Sequence, residues 1–435
     1  MYLPVKAKFT VSVVYAVLWS IFSFYIAEKW TSDLAEYVGF TVAYLIIFGI
    51  AIIPGFMNAF LVMSLLLDKR PKRKEAEISY PPITVLVAGY NEEESIASTL
   101  ESIHRQDYQN NIRVIFINDG SSDKTLDIAQ ECAKKYKWLE IINIEKNAGK
   151  ANALNVALRE VSTDLVITID ADSYLYKDAI KNLVGRMLSD PDHTAAVAGA
   201  VLVRNSRVNF VTKLQEWDYF HGIAAIKRIQ ALYQGTLVAQ GAFSIYRTDV
   251  VKMTGGWPHC VGEDIVLTWA ILRAGYRVGY AEDACLFTNA PTSWKQFFKQ
   301  RQRWSRGLIE AFKEHGSLLT HARMTTLFIW WNVLFPYLDL VYTLAFLPGI
   351  ILALFGVYLI AGPMTLIVLP MALIINYQIF RIQNKMFEEQ GLRVRKNVLG
   401  FIGYSLFYSL ILQPACVWGY LKEFFAGSVK NWGTK

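Results

Sequence analysis

Long apolar runs stand at both ends of this 435-residue chain, and none stands between them. Phe9 to Ala27 is long enough to cross a bilayer, and Val38 to Leu67 is long enough with tilt. Leu327 to Ile379 is too long for one crossing, and a turn at Ala361, Gly362 and Pro363 divides it into two. Val398 to Phe425 closes the series, interrupted by Gln413–Pro414. Residues 81–323 have ordinary globular composition. A chain so arranged is a multi-pass membrane protein with a water-facing insert, which agrees with its 53% hydrophobic content. No small-residue cleavage site follows the first run, only Glu28, Lys29 and Trp30, so it reads as a span and not a signal peptide.

Charge sets the expected orientation. The short loop between the first two runs carries Glu28, Asp33 and Glu36 against Lys29, whereas Lys69, Arg70, Lys72, Arg73 and Lys74 follow the second run. The positive-inside rule places those cations, and the insert after them, in the cytoplasm. Three regions result: an N-terminal hairpin (1–70), a cytoplasmic domain (71–323) and a C-terminal membrane region (324–435). Val398–Phe425 is too short for two crossings at about 20 residues each. Pro414 is expected to split it into two half-helices, a re-entrant pair that returns the tail "NWGTK" (431–435) to the cytoplasm. The net charge of +7 comes without any RNA or DNA motif, so it indicates a membrane-side bias plus an anionic ligand, not nucleic acid. Cys132, Cys260, Cys285 and Cys416 lack metal-ligand or redox spacing and read as reduced, buried thiols.

The insert alternates strands and helices. "ITVLVAGY" (83–90), "RVIFIND" (113–119), "LEIINIE" (139–145) and "LVITIDAD" (165–172) are β-branched apolar runs, and helical patterns lie between them. Ser122 or Asp123 can cap the helix after "DGSSDKT". This is an α/β pattern and predicts a parallel sheet with helices on both faces and ligands beyond the carboxyl ends of the strands. Polar residues gather there: Tyr90, Asn91 and Glu92; Asn118 and Asp119; Asp170 and Asp172.

Individually these signals have plain readings. Asp170 and Asp172 are either solvated loop acids or oxygen ligands for Mg2+ or Mn2+ shared with a phosphate. Gly149 and Lys150 precede a helix and suit a phosphate. Glu263 and Asp264 either complement a helix dipole or supply a general base. In "FFKQRQRWSRG" (297–307), Gln300, Arg303, Trp304 and Gly307 fall at i, i+3, i+4 and i+7 on one helical face. Such a face can grip an anion and stack on a ring. The other cations of 295–306 are read as anchors of an interfacial helix on the lipid bilayer. Asp339, inside an apolar run, is either a functional ionisable group or a helix–helix hydrogen bond.

The order Tyr90–Asn91–Glu92, Asp119, Lys150, Asp170–Asp172, Gln240–Gly241, Glu263–Asp264, Gln300–Arg303–Trp304 resembles that of the processive, membrane-embedded family 2 glycosyltransferases. These include cellulose, chitin, hyaluronan and poly-N-acetylglucosamine synthases. The resemblance implies a GT-A (Rossmann-like) catalytic domain between transmembrane helices and a UDP-sugar donor. It implies that Tyr90, Glu92 and Asp119 hold uridine, that Lys150, Asp170, Gln300 and Arg303 complete the donor site, and that Asp172 with Asp170 binds Mg2+ or Mn2+. Asp264, beside Glu263, would take the proton from the acceptor hydroxyl, and Gln240, Gly241 and Trp304 would line the acceptor side. The partners implied are a UDP-sugar, a growing polysaccharide and the bilayer, with room for a small accessory membrane subunit. "GEDI" and "NAGKANAL" look most like poly-N-acetylglucosamine synthases, whereas "QP" and "WGTK" look more like hyaluronan synthases, which use two UDP-sugars. UDP-N-acetylglucosamine is common to both and is the favoured donor. A transferase that loads one sugar on a lipid carrier, and a non-catalytic nucleotide- or polysaccharide-binding receptor, are the rival readings.

Overall fold

A computed structural model describes residues 3–69, 79–389 and 391–425. The four apolar runs of the insert become β1 (Ile83–Gly89), β2 (Ile112–Asp119), β3 (Leu139–Ile144) and β4 (Leu165–Asp170), parallel in the order β3-β2-β1-β4. Every residue of β1 is buried, which is why its sequence is continuously apolar and not alternating. Val85 and Val87 pack with Ile96 and Leu100 of one flanking helix. Leu86 and Ala88 pack on the other face with Ala153 and Leu154. Helices therefore cover both sides, as the alternation predicts. Asp123 accepts from the Thr125 backbone N–H at 3.0 Å, at the start of the helix Thr125–Lys135.

The parallel sheet expected of these four strands is present, but it is part of a larger mixed sheet. β5 (Tyr174–Leu175), β6 (Thr194–Val203), β7 (Phe243–Arg247) and β8 (Arg277–Thr288) extend it in the order β4-β7-β6-β8-β5. β7 runs antiparallel to both β4 and β6, while β6 and β8 are parallel. The chain reaches β7 through a long helical excursion, residues 210–232, and not through a compact crossover helix that would impose a parallel return. The carboxyl ends of β1, β2 and β4 still open on one edge, and Tyr90, Asp119 and Asp170 lie there.

Among the described residues three helices are long and apolar enough to cross a membrane: Val5–Val38, Phe40–Leu67 and Thr326–Leu354. Their large side chains, such as Leu18, Ile21, Tyr25 and Leu354, are exposed, as a lipid-facing surface requires. Gly39, at φ +78°, makes the break between the first two. The expected turn near Gly362 is present, and a 27-residue helix, Pro363–Glu389, follows it. The break expected at Pro414 is corrected. The helices Val398–Leu406 and Tyr408–Phe425 meet at Phe407, bent by 51°, and Pro414 lies inside the second. That helix continues through Pro414 in a packed setting: Ala415 is fully buried, and Gly419 presses against Ser305 and Gln302. Arg70–Lys74 and the tail 431–435 lie outside the described residues.

Polar contacts fasten the insert to the membrane helices. The Tyr233 hydroxyl bonds Ser64 at 3.0 Å and Ser12 at 3.3 Å, and Arg228 pairs with buried Asp68 at 2.5 Å. Asp339 accepts from the Tyr420 hydroxyl at 2.9 Å, the helix–helix hydrogen bond of the two sequence readings.

Candidate active site

The edge of the sheet is organised around Lys150. Asp119 is fully buried, and its two carboxylate oxygens accept from the backbone N–H groups of Ala148 (3.0 Å) and Gly149 (2.8 Å). That bond pair fixes the turn from which the helix Lys150–Leu158 departs, with Gly149 at φ +94°, a conformation suited to glycine. The Lys150 ammonium is thereby aimed at the end of β4, where it pairs with Asp170 and lies 3.8 Å from Glu263. Burial works against its charge, but Asp170 and Glu263 outweigh burial and hold it above its usual range. Beside this, Asn91 (φ 56°) is clasped to the next loop: its N–H donates to Ser121 Oγ, and its Oδ1 accepts from the Ser122 N–H. The loop Tyr90–Glu92 is thus held against the loop after β2, with Glu92 N–H on Thr125 Oγ1 at 2.7 Å.

Glu263 and Asp264 begin the helix Glu263–Arg273. Asp264 accepts from the Ile265 N–H at 2.8 Å and from the Gly241 N–H at 3.3 Å, which orients its carboxylate towards the Gln240–Gly241 turn. A Cβ at Gly241 would sit 2.8 Å from the Lys150 ammonium and 3.3 Å from Glu263, so any side chain there would displace those two charged groups. Gln240 is locked by a 2.5 Å bond to the Gly199 carbonyl. Burial, reinforced by Asp264, pushes the Glu263 carboxyl up to about 7 against the pull of Lys150 and Arg303. Five residues from four separate parts of the sequence, Lys150, Asp170, Gly241 and the pair Glu263–Asp264, therefore meet in one place.

The helix Trp294–His315 closes the site. Its Gly307 lies so near Gly262 that a Cβ on either would fall within 2.7 Å of the other's Cα. Glu310 then accepts from the N–H groups of Gly262 (2.8 Å) and Val261 (3.2 Å). Glu310 was not among the expected site residues, although it continues the face Gln300–Arg303–Trp304–Gly307 by one turn, and that periodicity would have found it. Arg303 is half-buried, and its charge reaches Glu263. Trp304 is exposed, with Tyr219 6.1 Å away between ring centroids. Gln300 keeps its Oε1 buried without a hydrogen-bond partner, and no described contact joins it to Arg303. A second residue beyond the sequence reading is Lys227, which donates to the Val238 carbonyl at 3.0 Å. Burial brings its ammonium down to about 7, with nearby Asp264 opposing the fall.

The reading of the remaining cations as lipid anchors is corrected for two of them. Arg301 is buried against Asp218, and Arg306 pairs with buried Glu423 at 3.2 Å, beside Lys313 at 2.7 Å. Both are too near protein carboxylates to serve a headgroup. Lys295 and Lys299 are exposed.

A divalent cation fits the site only as an ion shared with a ligand. No group of three or more His, Cys, Asp or Glu suited to a metal occurs among the described residues. Asp170 and Asp172 nonetheless offer hard oxygen donors of the kind Mg2+ and Mn2+ take together with phosphate oxygens. Asp170 is paired with Lys150, and Asp172 accepts from Ser173 and Thr288 hydroxyls at a long 3.4 Å. Both carboxylates stand at the carboxyl end of β4.

Comparison with known proteins agrees with this geometry. The family model "Glycosyltransferase like family 2" matches residues 81–307, more than half of the chain. Over 242 residues the chain is 32% identical to the poly-beta-1,6-N-acetyl-D-glucosamine synthase of Staphylococcus aureus (strain COL), covering 55% of this chain and 57% of that protein. Over 226 residues it is 32% identical to the synthase of the same name from Staphylococcus epidermidis, covering 52% and 54%. The chain thus spans a little over half the length of the curated relatives it matches. A mannosyltransferase from Pyrobaculum calidifontis, solved in complex with GDP-Man and Mn2+, shares the fold over 98% of this chain and 100% of its own, with a TM-score of 0.56 and 17% identity.

Proposed function

The chain belongs to glycosyltransferase family 2 and has its GT-A fold; from that premise we propose that it is a processive, inverting β-glycosyltransferase that polymerises sugar from UDP-N-acetylglucosamine and passes the polysaccharide across the membrane. The observation that carries this reading is the meeting of Lys150, Asp170, Gly241, Glu263 and Asp264 beneath a helix that bears Arg303 and Trp304. The donor lies along the carboxyl edge of the sheet. Tyr90, Glu92 and Asp119 frame the uridine, while Lys150, Gln300 and Arg303 face the diphosphate. Asp172 and Asp170 would hold a divalent cation, which when bound would neutralise charge on the leaving diphosphate. The acceptor lies beside Gln240, Gly241 and Trp304, where an indole offers a sugar a flat apolar face.

Asp264 takes the proton of the acceptor hydroxyl as its oxygen attacks the anomeric carbon. The new C–O bond forms on the face opposite the departing diphosphate, the bond to UDP breaks, and an α-linked donor gives a β-linkage. The bonds from the Gly241 and Ile265 N–H groups hold that carboxylate in place for the transfer. The donor assignment is supported by the name shared by the two staphylococcal relatives. The basic stretch after Leu67 supports a cytoplasmic catalytic domain (71–323) between an N-terminal hairpin (1–70) and a C-terminal region (324–435), in a multi-pass protein of the cell membrane.

The decisive variant is Asp264→Asn. It should bind UDP-N-acetylglucosamine and release no UDP. Turnover within about tenfold of wild type, roughly 1.4 kcal/mol of barrier, would show that Asp264 is not the base. Product sizing of the wild type completes the test, since a single transferred sugar in place of a polymer would refute processivity.

A further inference from the structure

We propose that Arg301 is a positioning residue for Trp304: its buried guanidinium, anchored on Asp218, covers one face of the indole and leaves the other for the acceptor sugar. The proposal rests on the acceptor role given to Trp304 above.

Arg301 precedes Trp304 by three residues, so both project from one side of the helix Trp294–His315. Its guanidinium carbon lies 4.0 Å from the Trp304 ring centroid and 5.0 Å from that of Phe297. Only 4% of Arg301 is exposed, against 39% of Trp304. One group is sealed in protein, and the other reaches the surface that a ligand can approach. Asp218 Oδ2 stands 2.9 Å from Arg301 Nη2, yet neither Nε nor Nη2 is aligned for a hydrogen bond. The carboxylate balances the charge while the guanidinium stacks on the ring. A buried cation without such a partner would be costly, and a cation close to an aromatic face is attracted by the ring quadrupole. Asp218 in turn opens the π-helical turn Asp218–Ile223, which also carries Tyr219, the second ring beside Trp304.

An exposed indole with both faces in water changes rotamer freely. One clamped on its inner face presents a fixed outer face, and that fixes the hydroxyl of a stacked sugar relative to Asp264. Lysine cannot replace arginine in this role, since an ammonium is compact, strongly hydrated and unable to stack.

The test is a double-mutant cycle in membranes supplied with UDP-N-acetylglucosamine, reading donor KM, UDP release and product length. Arg301→Gln should slow elongation about tenfold and shorten the product, with donor KM within about twofold of wild type. In a Trp304→Ala background the same change should cost less than about twofold, because the residue it acts through is gone. Arg301→Lys should not restore elongation. If Arg301→Gln does not accumulate, Asp218→Asn, which keeps side-chain shape, should give the same non-additive pattern. Equal losses with and without Trp304, or a donor KM raised by Arg301→Gln, would overturn the proposal. Normal elongation in Trp304→Ala would instead defeat the acceptor reading itself, and Arg301 with it. Loss in Trp304→Ala with none in Arg301→Gln would defeat the Arg301 proposal alone.

Discussion

Gly307→Ala tests how the helix Trp294–His315 is seated on the Glu263–Asp264 turn. A methyl group at Gly307 would lie 2.7 Å from Gly262 Cα and 3.3 Å from Gly262 N. Carbon atoms settle at about 3.5–4.0 Å, so helix and turn must part by about 1 Å. Neither atom is the end of a flexible side chain that could swing aside. Overpacking of this kind costs about 1–3 kcal/mol. The 2.8 Å bond from Gly262 N–H to Glu310 would lengthen beyond hydrogen-bond range, removing a charge-assisted contact typically worth about 1.5–3 kcal/mol. The larger effect falls on catalysis. Arg303 and Trp304 ride on the displaced helix while Asp264 stays on the turn, and a shift of about 1 Å can cost on the order of 10²-fold in rate. Lys150, Asp119 and the Tyr90 loop are untouched, so the uridine end of the donor site should keep its contacts, while donor KM should rise as Gln300 and Arg303 move away with the helix. UDP release from UDP-N-acetylglucosamine in membranes, with thermal unfolding of the purified protein, measures both consequences. Gly316→Ala is the control, because a Cβ there meets nothing within 4 Å and the backbone is not in the left-handed region. A Gly307→Ala rate within about threefold of wild type, with an unchanged unfolding midpoint, would refute the argument that this contact sets the distance between the two motifs.

Two further outcomes follow from the charges at the edge of the sheet. Because Asp170 and Asp172 offer too few ligands to hold an ion alone, UDP release should vanish in excess EDTA and return with Mg2+ or Mn2+; full activity after exhaustive dialysis into EDTA would exclude the metal role. Glu263 is pushed up from 4.5 to about 7, so between those values the folded chain holds a proton that the unfolded chain releases, and stability falls as pH rises through that window; Glu263→Gln should lose less of its unfolding midpoint than wild type between about pH 5 and pH 7.5, and parallel curves would show that Glu263 carries no such proton.

Much of this arrangement is legible along the chain because its signals are local. β1 to β4 are buried on both faces, so each shows as an unbroken apolar run, and the polar residues that end them mark the ligand edge without reference to any distant partner. The face Gln300–Arg303–Trp304–Gly307 follows from helical periodicity alone. The membrane segments follow from run length, and Gly39 and Gly362 lie at breaks where the chain needs them.

Contacts between distant residues were not legible, and they decide how the local pieces work. Pro414 carries a strong breaking signal, yet it is overruled by Gly419 seated on Ser305 and by Glu423, which draws in Lys313 from 110 residues away. Asp339 owes its role to Tyr420, 81 residues later, whose hydroxyl donates to it. Arg301 and Arg306 sit in a run of cations that any hydropathy argument assigns to lipid, and both are satisfied by carboxylates from elsewhere, Asp218 and Glu423. The same helix therefore bears three kinds of connection: Gly307 and Glu310 to the Asp264 turn, Arg301 to the turn that begins at Asp218, and Arg306 with Lys313 to the last described helix. A shift of that helix cannot leave Asp264, the Trp304 indole and the C-terminal helix in register at once. Packing and charge join the Asp264 turn, the Asp218 turn and the C-terminal helix through it, by side chains whose partners lie far away in sequence.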